Sequence, residues 1–361
     1  MRKTLETHRK RIDAIDDALL ALIEERTATV KEIGKIKAGE GVAMYDPLRE
    51  QAIISRLAKK TKLEQSFVTK IFRDVITYCR GDERKMARKK TATPKVSQRQ
   101  SSGVAVLGPA GTFTEQAAKR VFAGARLTYC ESVDDVFKKV EAKEAEHGVV
   151  AVENSLEGSV GKTLEALTEY DASIVGEITL DISLCIITEA KAKKIEVILS
   201  HPHALAQCAG YLKTNYPKAK QLSSKSTAAA LKELGRYENA AAIGVASAAK
   251  AYGLTILAEN IQDDFSQTRF IVIAKKKSFG SKTSVIFAVK DEAGALYSIL
   301  KTFADQNINL TKIESRPSKR KLGEYLFFMD FENKGLSEKE VSAVIASVKP
   351  KTTFLKVLGS Y

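Results

Sequence analysis

The stretch VAVLGPAGTFTEQAA (Val104–Ala118) decides the fold of the middle of the chain. Its apolar run Val104–Leu107 reads as a buried strand, and Gly108 and Gly111 punctuate a turn. Thr112, with Glu115 three residues on, has the form of a capping box that opens a helix. Outward from this unit, short β-branched runs alternate with helical segments. Further candidate strands are Gly148–Val152, Ser173–Val175, Leu184–Thr188, Val197–Ser200, Ala241–Gly244 and Phe270–Ala274. This alternation predicts an α/β domain over residues 103–279 with mostly parallel strands, and ligands beyond the strands' carboxyl ends. The turn lacks the GxGxxG spacing and ribose acid of a dinucleotide site, so no NAD is expected.

Residues 280–361 read strand (Ser284–Val289), helix (Gly294–Asn307), strand (Asn309–Ser315) and a basic turn. An aromatic strand (Tyr325–Phe331), a helix (Ser337–Val348) and a last strand (Thr353–Leu358) follow. The order βαββαβ is that of an α+β ferredoxin-like domain, whose sheet edge or face is expected to pair with a second copy.

Residues 1–82 are helical by pattern. Between Thr7 and Lys37 there is no proline and Gly34 is the single glycine. At 100° per residue, Leu19, Leu22, Val30 and Ile33 fall on one stripe, and Arg26 and Lys37 fall on it too. A second helix is expected from Asp46-Pro47, a good N-cap followed by proline at the first helical position. On it Asp46, Arg49 and Glu50 share the face of Ile53 and Leu57. A third runs from Leu63 to Arg80, with Phe67, Ile71, Phe72, Val75 and Ile76 apolar. Three such helices cannot enclose a good core alone, which predicts a helical dimer. An unpaired cation in an apolar stripe is costly, so Arg26 and Lys37 need anionic partners. Either Asp46 and Glu50 supply them, or the stripe forms a pocket for a compact polyanion whose hydroxyls those carboxylates serve.

The 361 residues suit two or three domains, and 44% apolar with 28% charged residues suits a globular protein. The start, MRKTLETHRKR, lacks the apolar core of a signal peptide, and no stretch approaches the ~20 apolar residues of a membrane span. Cys79, Cys130, Cys185 and Cys208 show no CxxC or His-Cys spacing. They read as reduced thiols of a cytoplasmic protein, with no metal site. The net charge is +14, and residues 81–102 alone hold seven Lys or Arg against two acids. Residues 83–102 read as a solvated basic linker. The rival reading, a nucleic-acid arm, lacks interleaved aromatics.

The segments HRKRIDAIDDALLALIEER (8–26), KEIGKIK (31–37) and DPLRE (46–50) resemble the all-helical chorismate mutases. The resemblance implies an interlocked dimer around two sites. Arg9 would reach into the partner's site, and Arg26, Lys37, Asp46, Arg49 and Glu50 match the other positions of the first two helices. Rearranging chorismate to prephenate needs no nucleophile, only a compact grip on a dianion and stabilisation of charge on the breaking ether oxygen. Arg9 and Arg26 would grip carboxylates, Lys37 would face the ether oxygen, and Glu50 and Asp46 would hold the ring hydroxyl. On the third helix the family commonly has Ser, then Gln four residues later, where this chain has Cys79 and Glu83. An ionised Glu83 cannot donate to the ether oxygen and a protonated one can, which implies activity favouring acidic pH, or weak activity.

The central domain adds VENSLEGSV (152–160), SHPHALAQC (200–208), SKSTAAA (224–230) and SQTRFIVI (266–273). In this order, with the opening turn, they resemble prephenate dehydratase, which implies two similar α/β lobes around a cleft. The chemistry removes CO2 and hydroxide from prephenate and leaves phenylpyruvate, and no cofactor is implied. Thr268 would assist departure of the hydroxyl, supported by Glu153, Asn154, Ser200 and Gln207, with Arg269 as a carboxylate clamp. Ser226 and Thr227 open a helix, and either cap it or bind an anion. Departures are Ala151-Val152 for Pro-Ile, His203 for Gln, and Ser266 for Asn two residues before Thr268.

GALYSIL (294–300) and ESRP (314–317) resemble the ACT domain that follows prephenate dehydratases and binds phenylalanine. The resemblance places Gly294, Ala295, Leu296, Glu314, Ser315, Arg316 and Pro317 at the effector, with Glu314 or nearby backbone meeting its ammonium. A sheet that only dimerises is the plainer reading. The whole is expected to be a multidomain enzyme of phenylalanine biosynthesis, a chorismate mutase fused to a prephenate dehydratase with feedback by phenylalanine. Chorismate, prephenate, phenylalanine and further copies of the chain are its expected partners, without nucleic acid or membrane. Arogenate in place of prephenate, and a helical domain that only dimerises, are the alternatives.

Overall fold

The computed structural model describes residues 2–40, 47–87, 103–189, 194–264, 266–318, 324–333 and 335–361. Within its helices, the side chains of 2–4, 38–40, 47, 48, 51, 77 and 80–87 are also outside the description. The linker expected at 83–102 therefore lies mostly outside the described residues. The chain divides into two compact units, 1–93 and 94–361.

The first unit is α1 (Arg2–Glu40), α2 (Pro47–Lys59) and α3 (Gln65–Ala87). Gly34 does not break α1, and Pro47 stands at the first position of α2, where its missing N–H costs nothing. Thr27, Ala58, Val68, Ile76 and Cys79 are buried where the helices meet. The expected apolar stripe is not covered by the described residues of this unit: Leu19 is 54% and Leu22 61% exposed, as are Ile12, Ile15 and Ile36 on α1 and Phe67 on α3 to similar extents. Three helices bury one seam and leave the opposite face of the long helix open.

The second unit begins with β1 (Val104–Leu107), α4 (Phe113–Val121), β2 (Leu127–Cys130), α5 (Val133–Glu141), β3 (His147–Asn154), β4 (Gly158–Ser159), α6 (Gly161–Glu169) and β5 (Ser173–Ile182). A second lobe follows as β6 (Cys185–Thr188), β7 (Val197–Ser200), α7 (Pro202–Gln207), α8 (Ala209–Asn215), β8 (Lys220–Ser223), α9 (Thr227–Glu233), β9 (Ala240–Gly244), α10 (Ala246–Ala251) and β10 (Thr255–Glu259). The chain then returns to the first lobe on β11 (Ser266–Ala274). The sheets run β2-β1-β3-β11-β5, with β4 on β3, and β10-β6-β9-β7-β8.

The expectation of mostly parallel strands is corrected. β1 is parallel to β2 and β3, and β7 to β8 and β9. The five other pairs are antiparallel. The reason is that the chain changes lobe twice. β11 re-enters the first sheet from the other lobe and slots between β3 and β5, opposed to both. The pattern missed β2, β4, β8 and β10, which are short or have one polar side. Gly111, at φ +88°, lets the turn approach the second lobe, because a Cβ there would lie 2.6 Å from Cβ of Ala248. Phe113 packs into the cores of both lobes.

The last domain is β12 (Lys282–Ala288), α11 (Ala295–Ala304), β13 (Leu310–Pro317), β14 (Tyr325–Glu332), α12 (Glu338–Val348) and β15 (Phe354–Ser360), with sheet order β13-β14-β12-β15. Its helices cover one face through Val285, Phe287, Ile299, Phe303, Phe331 and Val344. The other face is taken by the first lobe, where Ile286, Phe328 and Leu358 join the core of Val152, Leu164, Leu167 and Ile174. That face is thus unavailable to a second copy, while β13 is an edge strand of the sheet among the described residues.

Lys356 of β15 clasps the end of α6. Its Nζ donates to the carbonyls of Leu167 (2.8 Å), Thr168 (3.2 Å) and Tyr170 (2.7 Å), and burial pushes its pKa down. These are carbonyls a helix end leaves without intrahelical partners. Lys356→Met is expected to lower stability by about 1–3 kcal/mol, read as a shift of the urea midpoint at unchanged slope.

Candidate functional site

The β3–β4 hairpin and β11 build the centre of the first lobe. In register, Thr268 faces Asn154 and Arg269 faces Glu153. The Asn154 carboxamide has all its bonds assigned. Its oxygen accepts the N–H groups of Leu156 (2.9 Å) and Glu157 (3.1 Å), which hold the hairpin turn. Its Nδ2 donates to Thr268 Oγ1 and to Ser266 Oγ, both at 2.9 Å. Ser266 and Thr268 are buried. Because Thr268 Oγ1 accepts from the amide, its own proton is left to be donated elsewhere.

The same turn reaches the second lobe. Glu157 accepts Gln207 Nε2 (3.1 Å) and lies 2.7 Å from Nδ1 of His203, both on α7. His201 caps α7 and stacks edge-on to His203 with ring centres 4.9 Å apart. Burial and the neighbouring His203 hold its pKa down, against the pull of Glu157. The structure thus joins Asn154 to Thr268, and Gln207 to their hairpin through Glu157. Ser200 stands apart, its hydroxyl donated to the Ile243 carbonyl (2.8 Å) on the next strand. Ser226 caps α9, accepting the Ala229 N–H (3.0 Å), and Thr227 is the first residue of that helix. Ser226 is thus the cap, and Thr227 begins the helix behind it.

Glu153 and Arg269 do not join the Thr268 set. Successive side chains of a strand point to opposite faces, so both turn away from Asn154 and Thr268 toward the last domain. Arg269 is ringed by Asp330 (2.7 Å), Glu177 (3.1 Å) and Glu153 (3.3 Å). Burial alone would weaken its charge, but Asp330 and Glu177 reverse that and hold it firmly protonated. The expected carboxylate clamp is corrected, because three protein carboxylates already occupy the guanidinium. Lys312 of β13 meets Glu153 (3.1 Å), Ser159 Oγ (2.6 Å) and Glu314 (3.3 Å).

Glu314 accepts Arg316 Nε (2.8 Å) and hydrogen-bonds Ser159 Oγ. Burial raises its pKa, and the bonds from Ser159, Arg316 and Lys312 outweigh it and hold the carboxyl below the usual range. Ser315, Arg316 and Pro317 finish β13, and Arg316 and Pro317 line a cavity of about 210 Å³ with Leu164, Thr168, Leu326 and Phe328 among others. Gly294, at φ +83°, is the N-cap of α11, and Ala295 and Leu296 open that helix. The left-handed conformation explains the glycine.

In the helical unit Arg26 is half-buried, and its Nη1 is buried without a hydrogen-bond partner among the described residues. Lys37 and Glu50 are half-buried, while Arg49 and Arg9 are exposed. Arg9 and Arg26 are 17 residues apart on one helix, or roughly 25 Å at 1.5 Å per residue. One compact ligand cannot touch both within a chain. Cys79 is buried against Thr27, its Sγ 3.3 Å from Thr27 Oγ1. Glu83 lies on α3 with its side chain outside the described residues, and Asp46 lies outside them altogether.

The family of chorismate mutase type II matches residues 8–84, prephenate dehydratase 104–278 and the ACT domain 283–346. A bifunctional chorismate mutase/prephenate dehydratase of Aquifex aeolicus is 42% identical over 99% of this chain and 97% of that relative. The chain belongs to this bifunctional family. A prephenate dehydratase of Methanocaldococcus jannaschii is 42% identical over 70% of the chain and 95% of its own length, so its likeness omits much of the mutase part. Among solved structures, the prephenate dehydratase of Arthrobacter aurescens in complex with L-Phe superposes with a TM-score of 0.65 at 33% identity. It covers 71% of this chain and 89% of that one.

Within the dehydratase domain, Glu157 was not singled out from sequence, although it lies inside the VENSLEGSV segment. Lys312 and Asp330 left no signal, since a cation and an acid on alternating strands read as solvent-facing. No group of His, Cys, Asp and Glu that could hold a metal occurs among the described residues. No described helix is long and apolar enough to cross a membrane.

Proposed function

We propose that the chain rearranges chorismate to prephenate in its helical unit and converts prephenate to phenylpyruvate in its two-lobed domain, with phenylalanine as the ACT-domain effector. The observation that carries the dehydratase half is the Asn154–Thr268 bond, which leaves the threonine proton free. As the carboxylate leaves as CO2, its bonding pair aromatises the ring and expels the ring hydroxyl. Thr268 hydrogen-bonds that departing oxygen and stabilises its charge. Gln207, tied to the hairpin by Glu157, is the polar group the second lobe contributes.

In the mutase, Arg26, whose Nη1 has no hydrogen-bond partner among the described residues, grips a substrate carboxylate, and Lys37 faces the ether oxygen. Arg49 and Cys79 bind the substrate beside them, and Glu50 and Asp46 hold the ring hydroxyl. Arg9, roughly 25 Å along α1 from Arg26, serves the site of the partner subunit. The open stripe of Leu19, Leu22 and Ile36 supports such a dimer, since apolar faces of this kind are covered in stable proteins. In the ACT domain, Gly294, Ala295 and Leu296 with the 314–317 segment receive phenylalanine, and nearby backbone carbonyls meet its ammonium, since the Glu314 carboxylate is engaged by Ser159, Lys312 and Arg316. The protein works in the cytoplasm.

The test feeds pure protein chorismate at pH 5.5 and 7.5 and follows prephenate and phenylpyruvate, with prephenate fed separately. Phenylpyruvate from both substrates supports the proposal, and from prephenate alone leaves a helical unit that only dimerises. Glu83 sets the pH arm: only its neutral carboxyl donates to the ether oxygen, so mutase kcat/KM is expected to fall as pH rises from 5 to 8. Glu83→Gln, whose amide always donates, should flatten that profile and raise the rate at pH 7.5 about tenfold. A flat profile in the unaltered enzyme removes the role of Glu83.

A further inference from the structure

The residues that flank the proposed catalytic pair are held by the ACT domain. Asn154 and Thr268 meet on one face of the first sheet. Their chain neighbours Glu153 and Arg269 lie on the opposite face, and each is bound by an ACT side chain, Lys312 and Asp330 respectively. The contact extends across the hairpin. Glu153 pairs with Ser159 in the β3–β4 register, so the two side chains share a face, while Asn154 pairs with Gly158.

Lys312 touches both members of that pair, Glu153 at 3.1 Å and Ser159 at 2.6 Å, and its side chain is only 12% exposed. β4 spans two residues. The turn before it is held by the Asn154 carboxamide and by Ser155, whose N–H donates to the Gln267 carbonyl (2.8 Å) and whose Oγ accepts the Gln267 N–H (2.9 Å). These bonds fix the turn, whereas the β4 end of so short a hairpin takes its hold from the ACT domain.

We infer that Lys312 is a positioning residue of the dehydratase reaction: from the ACT domain it clamps Glu153 to Ser159 and so keeps Asn154 aimed at Thr268. This rests on the dehydratase reading above. Lys312 does not touch substrate. It fixes the hairpin that presents the amide, and the amide fixes the threonine hydroxyl. Misplacing that hydroxyl weakens an interaction used in the transition state more than one used in substrate binding, so the rate constant carries the effect.

The experiment measures prephenate turnover by the full chain carrying Lys312→Met, Lys312→Arg or Ser159→Ala. Lys312→Met is expected to lower kcat about tenfold with KM within twofold of the unaltered enzyme. Lys312→Arg, which keeps charge and donors, should return kcat to within twofold. Ser159→Ala, which keeps the ion pair with Glu153, should lower kcat about threefold, and it carries the test if the methionine variant does not fold. Unchanged kcat in folded Lys312→Met, or a rise in KM as large as the fall in kcat, overturns the inference. An arginine variant as slow as the methionine one also overturns it. If the unaltered enzyme turns over no prephenate, the dehydratase reading falls, and the inference with it.

Discussion

Thr268→Ala is expected to lower kcat for phenylpyruvate formation about 10²–10⁴-fold, with KM changed little. The argument starts from the hydrogen-bond ledger around Asn154. Its oxygen is engaged by two backbone N–H groups, so its Nδ2 must face Ser266 and Thr268. Thr268 then accepts, and the hydroxyl proton is directed elsewhere. A hydroxide leaving an aromatising ring is the acceptor that needs it, and a methyl group cannot supply it. Thr268→Ser keeps the hydroxyl and should retain activity within about tenfold. Thr268→Val keeps the shape without the proton and should be as slow as alanine. Asn154→Ala removes the director and not the donor, so it should be less damaging than Thr268→Ala. Unchanged turnover in the alanine variant would refute the assignment outright.

Much of this was legible in the sequence for a local reason. Val104–Leu107, the glycine turn and the Thr112 cap lie within a dozen residues, and the structure shows the strand, the turn and the Thr112–Glu115 bond (3.3 Å). The ferredoxin-like order was readable because its strands alternate cleanly with two helices. Strand direction was not. It depends on β11 coming back from the other lobe, a non-local event that no window of sequence contains.

The same distinction divides the site residues. Asn154 and Thr268 carry motif signals and are hydrogen-bonded across 114 residues of chain. Glu153 and Arg269 sit in the same motifs, yet the alternation of a strand sends them to the opposite face. A motif names neighbours in sequence, whereas a site is made of neighbours on one face. Arg269 illustrates the cost of ignoring this: it reads as a substrate clamp until Asp330, Glu177 and Glu153 are seen around it. Those partners come from three other strands, so the sequence could not exclude the clamp.

Arg26→Ala is expected to lower mutase kcat/KM by about 10²–10³-fold, because a buried guanidinium paired to a carboxylate is worth about 2–5 kcal/mol when truncated. Its consequence for stability decides between the two readings of the charged stripe. If Arg26 served an internal ion pair with Asp46 or Glu50, removing it would leave that carboxylate without its partner and lower folding stability. If it waits for a substrate anion, the free protein loses a cation whose Nη1 has no hydrogen-bond partner among the described residues. Relief of that desolvation leaves stability level or raises it. The expected result is therefore a variant with an undiminished urea midpoint and a crippled mutase, while its dehydratase still turns over added prephenate. Arg26→Lys keeps the charge without the planar fork and should recover only part of the rate. A variant that loses stability in step with activity would mean that Arg26 holds the helices together rather than the substrate.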